Sequence, residues 1–183
     1  MSNGLDIESL YREFHLDIYR FSLYFSSNKQ DAEDITQETF IKAIRNSHTL
    51  RDRARAKYWL LSIARHTAID HLRKTKRKSI LPELLEKMTN QEKKVSLDDH
   101  LLIKEQWQEI QNALLRIKPH YRSLLILRGI EEMTIRETAE ILECTELKVR
   151  VDFYRAVKVL KKELQVLEGV NEDEKDRISN SRG

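Results

Sequence analysis

Residues 59–79 read WLLSIARHTAIDHLRKTKRKS, a stretch that begins like a buried helix and ends as a polycation. Its apolar residues lie on one side at helical spacing: Leu60, Leu61, Ala64, Ala68 and Leu72. This spacing predicts an amphipathic helix packed against a core. Five basic residues then follow between positions 73 and 78. A packed helix with so cationic an end predicts a polyanionic partner at one surface of the protein.

The composition of the whole chain favours an all-α fold. The 183 residues include only 4 Gly and 2 Pro, and no stretch alternates apolar and polar residues for long. The length suits one domain or two small ones. The single cysteine, Cys144, excludes an internal disulfide and is typical of a reducing cytoplasm. Without a signal-peptide pattern or a run of 18 apolar residues, we expect a cytoplasmic protein that does not span a membrane.

Charge is distributed unevenly along a chain whose net charge is only +3. Residues 51–78 hold ten basic residues and two acidic ones. Upstream of them lies a local acidic block formed by Asp31, Glu33, Asp34 and Glu38. A basic zone inside a nearly neutral chain again indicates a polyanion at one surface.

The first half of the chain predicts a bundle of three helices. A helix over about 5–25 carries apolar residues every three or four positions, and Ser27 with Gln30 has the spacing of a capping box for the next helix. That helix, over about 30–45, directs Ile35, Phe40 and Ile44 inward. Residues 46–56 form a polar, Arg-rich connection to the helix quoted above.

The second half predicts a separate helical domain after a weakly periodic stretch. Its first helix has five apolar residues at helical spacing, Ile103, Trp107, Ile110, Leu114 and Ile117. Pro119 ends it, and a short helix follows over 121–130. We therefore predict two small helical domains joined by a flexible linker. The predicted boundaries are 1–78, a linker at 79–103, a second domain at 104–167 and a polar tail at 168–183.

Residues 133–164 have the layout of a helix-turn-helix. Thr134 and Glu137 predict a capping box, and Thr145 caps the next helix after the connection 143–145. The second helix leaves basic and aromatic residues outside: Lys148, Arg150, Tyr154, Arg155 and Lys158. Such a helix enters the DNA major groove, although any two helices of a bundle share this pattern. Glu143, where such turns often use Gly, and Asp152, a negative charge on the reading helix, weigh against DNA binding.

Three segments in this order carry a resemblance to a known family. They are QDAEDITQETFIKAI at 30–44, KYWLLSIARHTAIDHLRK at 57–74 and TIRETAEILECTELKVRVDFYRAVKVLKKEL at 134–164. The chain resembles the extracytoplasmic-function group of bacterial sigma factors from about residue 5 to residue 164. The resemblance implies an alternative-sigma transcription initiation factor that binds core RNA polymerase, recognises minus-ten and minus-thirty-five promoter elements and aids DNA opening.

The resemblance also implies a role for each surface. The second helix would bind the largest polymerase subunits through exposed residues, Asp31, Asp34, Gln37 and Glu38. The third helix would bind minus-ten DNA through Trp59, Ser62, His66, Arg73, Lys74, Lys76 and Arg77. The reading helix would bind minus-thirty-five DNA through Lys148, Arg150, Tyr154, Arg155 and Lys158. An anti-sigma protein, often membrane-anchored in the family, would hold the factor inactive.

Other chemistry finds little support in the sequence. His66 stands where the family commonly has Asn, and it projects roughly 140° from His71 on a helix, so the two do not form a metal pair. We expect no metal, no cofactor and no enzymatic activity, because phosphate loops, nucleophile elbows and paired catalytic carboxylates are lacking. Two alternatives stay open, a helix-turn-helix regulator that acts without polymerase and a helical adaptor or anti-sigma-like protein that binds only partner proteins.

Overall fold

The computed structural model describes the backbone of residues 7–80 and 101–180, and the side chains of residues 7–75 and 107–166. Within these ranges the chain is helical and forms no strand, which confirms the all-α prediction. The α-helices of the described ranges are α1 (Ile7–Ser26), α2 (Lys29–Arg45), α3 (Ala56–Ile80), α4 (Leu101–Arg116), α5 (Pro119–Leu125), α6 (Ile135–Ile141) and α7 (Glu146–Asn180). The chain divides into two compact units, Met1–Glu105 and Gln106–Gly183.

The first unit is a three-helix bundle in which α1, α2 and α3 all pack on one another. Its largest fully buried side chains are Leu10, Ile18, Phe21, Phe25, Ile35, Leu60 and Leu61. Burying each such side chain contributes about 1.5–3 kcal/mol relative to leaving it in water. The apolar stripe quoted from α3 therefore faces this core, and only Leu72 at its end is half-buried.

The junction between α1 and α2 differs from its prediction. Ser27 is the last residue tied to α1, since its N–H donates to Leu23 O at 2.8 Å. It adopts a left-handed backbone with φ 54°. Asn28 instead caps α2, and its side-chain oxygen accepts from the Asp31 N–H at 3.1 Å. The capping box predicted at Ser27 and Gln30 is wrong because Ser27 completes the preceding helix.

The buried face of α2 holds Ile35 and Phe40, as predicted, together with several smaller residues. Thr36 and Thr39 are buried, and their hydroxyls donate to carbonyls one turn earlier, at 2.7 and 2.6 Å. Ala43 occupies the core-facing position of the last turn. The next residue lies about 100° further around the helix. Ile44, predicted to face inward, is therefore 56% exposed.

The start of α4 also departs from its predicted orientation. Trp107 was expected in the core but is 41% exposed. It precedes Ala113, the first buried residue in the described part of α4, by more than one helical turn. The apolar spacing continues through Trp107, but the core of the second unit begins later in the helix.

A buried arginine joins α4 to α5 in the second unit. Arg122 donates from Nε to Leu114 O at 2.8 Å and from a terminal nitrogen to Leu115 O at 2.7 Å. The guanidinium thus satisfies carbonyls at the end of α4, where the helix dipole also favours a cation. Burial lowers the pKa of Arg122 from its ordinary value. After α5 the backbone widens into a π-helical turn, Ile126–Ile130, and both α5 and α6 pack on α7.

The predicted linker, residues 79–103, lies mostly outside the described residues. At its edges α3 reaches Ile80 and α4 begins at Leu101. The backbone of α7 continues to Asn180, past position 168 where the polar tail is predicted to begin. Across residues 7–80 and 101–180, every helix is too short or too polar to span a lipid bilayer.

Candidate functional site

Three acidic residues of α2 share one helical face, because positions 31, 34 and 38 are three and four residues apart, whereas Glu33 lies on another side of the helix. Asp34 and Gln37 are exposed. Glu38 is half-exposed, and its carboxylate lies 3.7 Å from Lys42 Nζ on the same helix. This face therefore presents carboxylates to solvent.

Asp31 is less exposed than predicted, since only 34% of its side chain is accessible. Its Oδ1 lies 3.1 Å from His71 Nε2 on α3. A second link joins the same helices, where Lys42 Nζ donates to the buried Thr67 hydroxyl at 3.2 Å. Asp31 is therefore part of the contact between α2 and α3 as well as part of the acidic face.

The outer side of α3 carries the residues predicted to meet minus-ten DNA. Trp59 and Ser62 are half-buried, whereas His66, Arg73 and Lys74 are exposed. The Trp59 indole donates from Nε1 to Thr49 Oγ1 at 2.9 Å, which holds its ring beside the connection before α3. Lys76 and Arg77 lie on the helical backbone, but their side chains fall outside the described residues.

Both ring nitrogens of His66 have partners on α3. Nδ1 lies 2.9 Å from Ser62 O, and a carbonyl only accepts, so Nδ1 carries the proton. Nε2 then accepts from Arg65, at 3.3 Å. The ring is fixed in orientation, and Nε2 can accept from another donor only when Arg65 releases it.

The connection before α3 is held in shape by contacts to α1. It forms two short 3-10 turns, Ser47–Thr49 and Arg53–Arg55. The Asp52 carboxylate accepts from the Ala54 N–H at 2.9 Å. Arg53 donates to Ser9 Oγ at 2.6 Å and to a Glu13 carboxylate oxygen at 3.3 Å.

A second cation of this segment is paired in the same way. Lys57, in the first turn of α3, donates from Nζ to Asp17 Oδ1 on α1 at 3.0 Å. Arg53 and Lys57 count toward the basic zone in the sequence, but the structure gives both a carboxylate partner 40 residues away. They hold the bundle together, and no short-range pattern in the sequence reveals this.

The helix-turn-helix layout of the second unit forms as its local signals predict. Thr134 Oγ1 accepts from the Glu137 N–H at 3.2 Å, and Glu137 accepts from the Thr134 N–H at 2.7 Å, which confirms the capping box. Thr145 Oγ1 accepts from the Lys148 N–H at 3.2 Å and caps α7. Glu143 has φ 53°, the left-handed conformation that Gly adopts most easily.

The predicted reading residues all lie on the exposed side of α7. Each has a partner on the same helix. Lys148 lies 2.6 Å and Arg155 3.8 Å from Asp152 carboxylate oxygens. Arg150 lies 3.8 Å from Glu146, and Lys158 Nζ sits 4.8 Å from the centroid of the Tyr154 ring. These five side chains form a cationic row along α7, which is partly ordered by its own ion pairs.

Asp152 does not project from the reading helix as the sequence suggested. Only 7% of its side chain is exposed, and Oδ2 lies 3.0 Å from His120 Nε2 on α5. Hydrogen bonds from Lys148 and His120 lower the pKa of the Asp152 carboxyl, and the same pairing raises the pKa of Lys148. Sequence reasoning missed this group, because only the packing of α5 on α7 brings His120 beside it.

Among the residues that the structure describes, no three His, Cys, Asp or Glu side chains are grouped so that they could hold a metal ion. Within the described side chains, the predicted site residues lie on three surfaces: the acidic face of α2, the outer side of α3 and the cationic row of α7. The first two lie within one unit and the third in the other.

Two family models match the chain. The description Sigma-70 region 2 applies to residues 10–78, and Sigma-70, region 4 applies to residues 107–160. The chain is 38% identical over 161 residues to the ECF RNA polymerase sigma factor SigX of Bacillus subtilis (strain 168), covering 86% of this chain and 83% of that protein. It is 30% identical over 148 residues to the RNA polymerase sigma factor SigV of the same organism, covering 81% and 84%.

A solved structure shares the fold. The sigma factor RpoE in complex with the anti-sigma factor NepR from Bartonella quintana matches with a TM-score of 0.65 at 22% identity, covering 88% of this chain and 98% of that chain.

Proposed function

This chain belongs to the extracytoplasmic-function group of RNA polymerase sigma factors, and we propose that its three charged surfaces divide the work of such a factor between them. As a sigma factor it binds core RNA polymerase and directs it to promoters. We propose that the polymerase carries out RNA synthesis and that the chain itself is not an enzyme. The chain acts in the cytoplasm, where polymerase and promoter lie.

The acidic face of α2 is the proposed polymerase-binding surface. Its exposed carboxylates are suited to a cationic partner, and charge complementarity raises the rate at which such partners meet. Asp34 and Gln37 are the most accessible members. Asp31 contributes from a half-buried position beside His71.

The outer side of α3 is the proposed minus-ten surface. An open DNA strand binds proteins through aromatic stacking and cationic grooves. Trp59 supplies a ring fixed by Thr49, and Arg73 with the basic residues after it supplies phosphate contacts. Phosphate contacts set affinity and register, while the bases are read by the Trp59–His66 part of the helix.

The cationic row of α7 is the proposed minus-thirty-five surface. It follows a tight turn and a short capped helix, the arrangement that places a second helix in the major groove. Lys148 and Arg150 lie near the start of α7, the end from which such helices reach base edges.

One observation carries the proposal, the separation of charge within a single helical bundle. The acidic face of α2 and the cationic outer side of α3 belong to helices joined by Asp31–His71 and Lys42–Thr67. A DNA-binding regulator that acts alone has no need of the acidic face. A protein-binding adaptor has no need of the cationic one.

We also propose that an anti-sigma protein regulates the chain. RpoE of Bartonella quintana was solved in complex with the anti-sigma factor NepR. Such a partner would cover the polymerase-binding and DNA-binding faces.

Run-off transcription with purified core polymerase tests the proposal. Core enzyme with the wild-type chain is expected to transcribe from its own promoters, and core enzyme alone is not. Asp34→Lys should abolish this activity, whereas Glu8→Lys, an equal charge change at an exposed position of α1, should retain it. A footprint by the chain without polymerase would favour the regulator, and absence of DNA binding with polymerase present would favour the adaptor.

A further inference from the structure

The Asp152 carboxylate is buried where α7, the proposed DNA-binding helix, packs against α5. Two cations and an imidazole surround it. Its Oδ2 accepts from Lys148 Nζ at 2.6 Å and lies 3.0 Å from His120 Nε2. Its Oδ1 lies 3.8 Å from Arg155.

The three partners differ in exposure. The Asp152 side chain is 7% exposed, whereas those of Lys148 and Arg155 are 55% and 63% exposed. The carboxylate therefore lies at the inner edge of the row and pairs with the charged groups of two largely exposed cations. An ionised carboxylate only accepts, so His120 donates to it from Nε2 and connects the cluster to α5.

We propose that Asp152 is a positioning residue for minus-thirty-five recognition, which fixes the direction of the Lys148 ammonium so that this lysine reads a base and not a phosphate. The inference rests on the proposed function of α7. Lys148 lies in the first turn of the helix, where base contacts are made. A lysine without a fixed partner is a flexible point charge, which suits phosphate contacts at any sequence.

The depressed pKa of Asp152 supports this geometry, since the carboxylate stays charged at neutral pH and keeps hold of both partners. The side chain of Lys148 carries a large rotamer entropy that the pairing with Asp152 removes before DNA arrives. Preorganisation of this kind favours the one base pair that the held ammonium can reach.

The test measures holoenzyme binding to promoters that differ only in the minus-thirty-five element, at several salt concentrations. Wild type should prefer one base pair at the Lys148-dependent position by about tenfold, within the range for one base-reading contact. Asp152→Asn should remove most of that preference. It should also steepen the salt dependence by about one unit of slope, because the released lysine joins the phosphate contacts.

Two comparisons separate positioning from a general effect of charge or folding. Glu163→Gln makes the same charge change on the same helix, beyond the cationic row, and it should leave the base preference intact. In a Lys148→Met background the base preference should already be lost, so adding Asp152→Asn should change it no further. If Lys148→Met instead kept the preference and Asp152→Asn then removed it, the carboxylate would act without Lys148 and the proposal would be overturned.

His120→Phe provides the second route if Asp152→Asn does not fold. His120 is partly exposed, and phenylalanine retains a ring beside Tyr121 while releasing the carboxylate from α5. The base preference should fall several-fold, and an unchanged preference overturns the proposal. Wild-type holoenzyme that discriminates no minus-thirty-five sequences would instead contradict the proposed function of α7.

Discussion

Replacing Lys57 with alanine is expected to destabilise the first unit without weakening DNA binding. The sequence places Lys57 in the basic zone, but its ammonium lies 3.0 Å from Asp17 Oδ1, with side chains only 32% and 27% exposed. Arg73, in contrast, is 72% exposed and lies 3.5 Å from Asp70 on the same helix. Removing these two cations of α3 should therefore have different effects. Lys57→Ala should lower the stability of the first unit, and Arg73→Ala should weaken DNA binding.

The size of the effect follows from burial. Surface ion pairs contribute about 0–1 kcal/mol, and hydrogen bonds to charged groups about 1.5–3 kcal/mol. The half-buried Lys57–Asp17 pair falls between these, so Lys57→Ala should cost about 1–1.5 kcal/mol of unfolding free energy. For a unit of this size, each kcal/mol lowers the midpoint of thermal unfolding by about 4–8 °C. Arg73→Ala should change stability by no more than about 0.5 kcal/mol.

Denaturant unfolding followed by tryptophan fluorescence measures the first effect. The chain has two tryptophans, Trp59 in the first unit and Trp107 in the second, so a Trp107→Phe background reports the first unit alone. Asp17→Ala and the double variant complete a cycle, in which the coupling energy should account for most of the loss. Promoter binding across salt concentrations measures the second effect, and Arg73→Ala should lower the slope by about one unit.

If Lys57→Ala kept full stability and lowered the salt slope as Arg73→Ala does, Lys57 would be a phosphate contact and the pair with Asp17 would be incidental.

The remaining predictions concern a cap, a core residue and a buried carboxylate. Thr134→Ala removes the N-cap of α6 and should cost the second unit about 1 kcal/mol in chemical unfolding, whereas Thr134→Ser should retain most of it. Phe21→Ala empties a fully buried position and should cost about 3–5 kcal/mol, so calorimetry should lose the transition of the first unit and keep that of the second. Asp152 has a folded pKa below its unfolded value of about 3.9, so its contribution to stability is full above that pH and is lost as the pH falls through the folded value. Acid titration of unfolding should therefore be steeper below pH 4 for wild type than for Asp152→Asn, and parallel curves would contradict the pairing.

The helices and their caps could be predicted because they depend on residues a few positions apart. The apolar stripe of α3, the Thr134–Glu137 capping box and the Thr145 cap all formed as the sequence indicates. Family membership was also predictable from ordered motifs. The predicted cap at Ser27 was wrong because this residue lies between two helices. Its backbone completes α1, so the cap of α2 falls on the next residue, Asn28.

Residue spacing and the order of the motifs were therefore enough to specify an all-α chain of the sigma family, with its charged surfaces on defined helices. Which of those charges are available to DNA or protein depends on how the helices pack. Lys57 with Asp17, Asp31 with His71, and His120 with Asp152 are pairs separated by 40, 40 and 32 residues. Such pairs form only when the helices pack, because packing both brings the partners together and removes the water that would otherwise screen their charges.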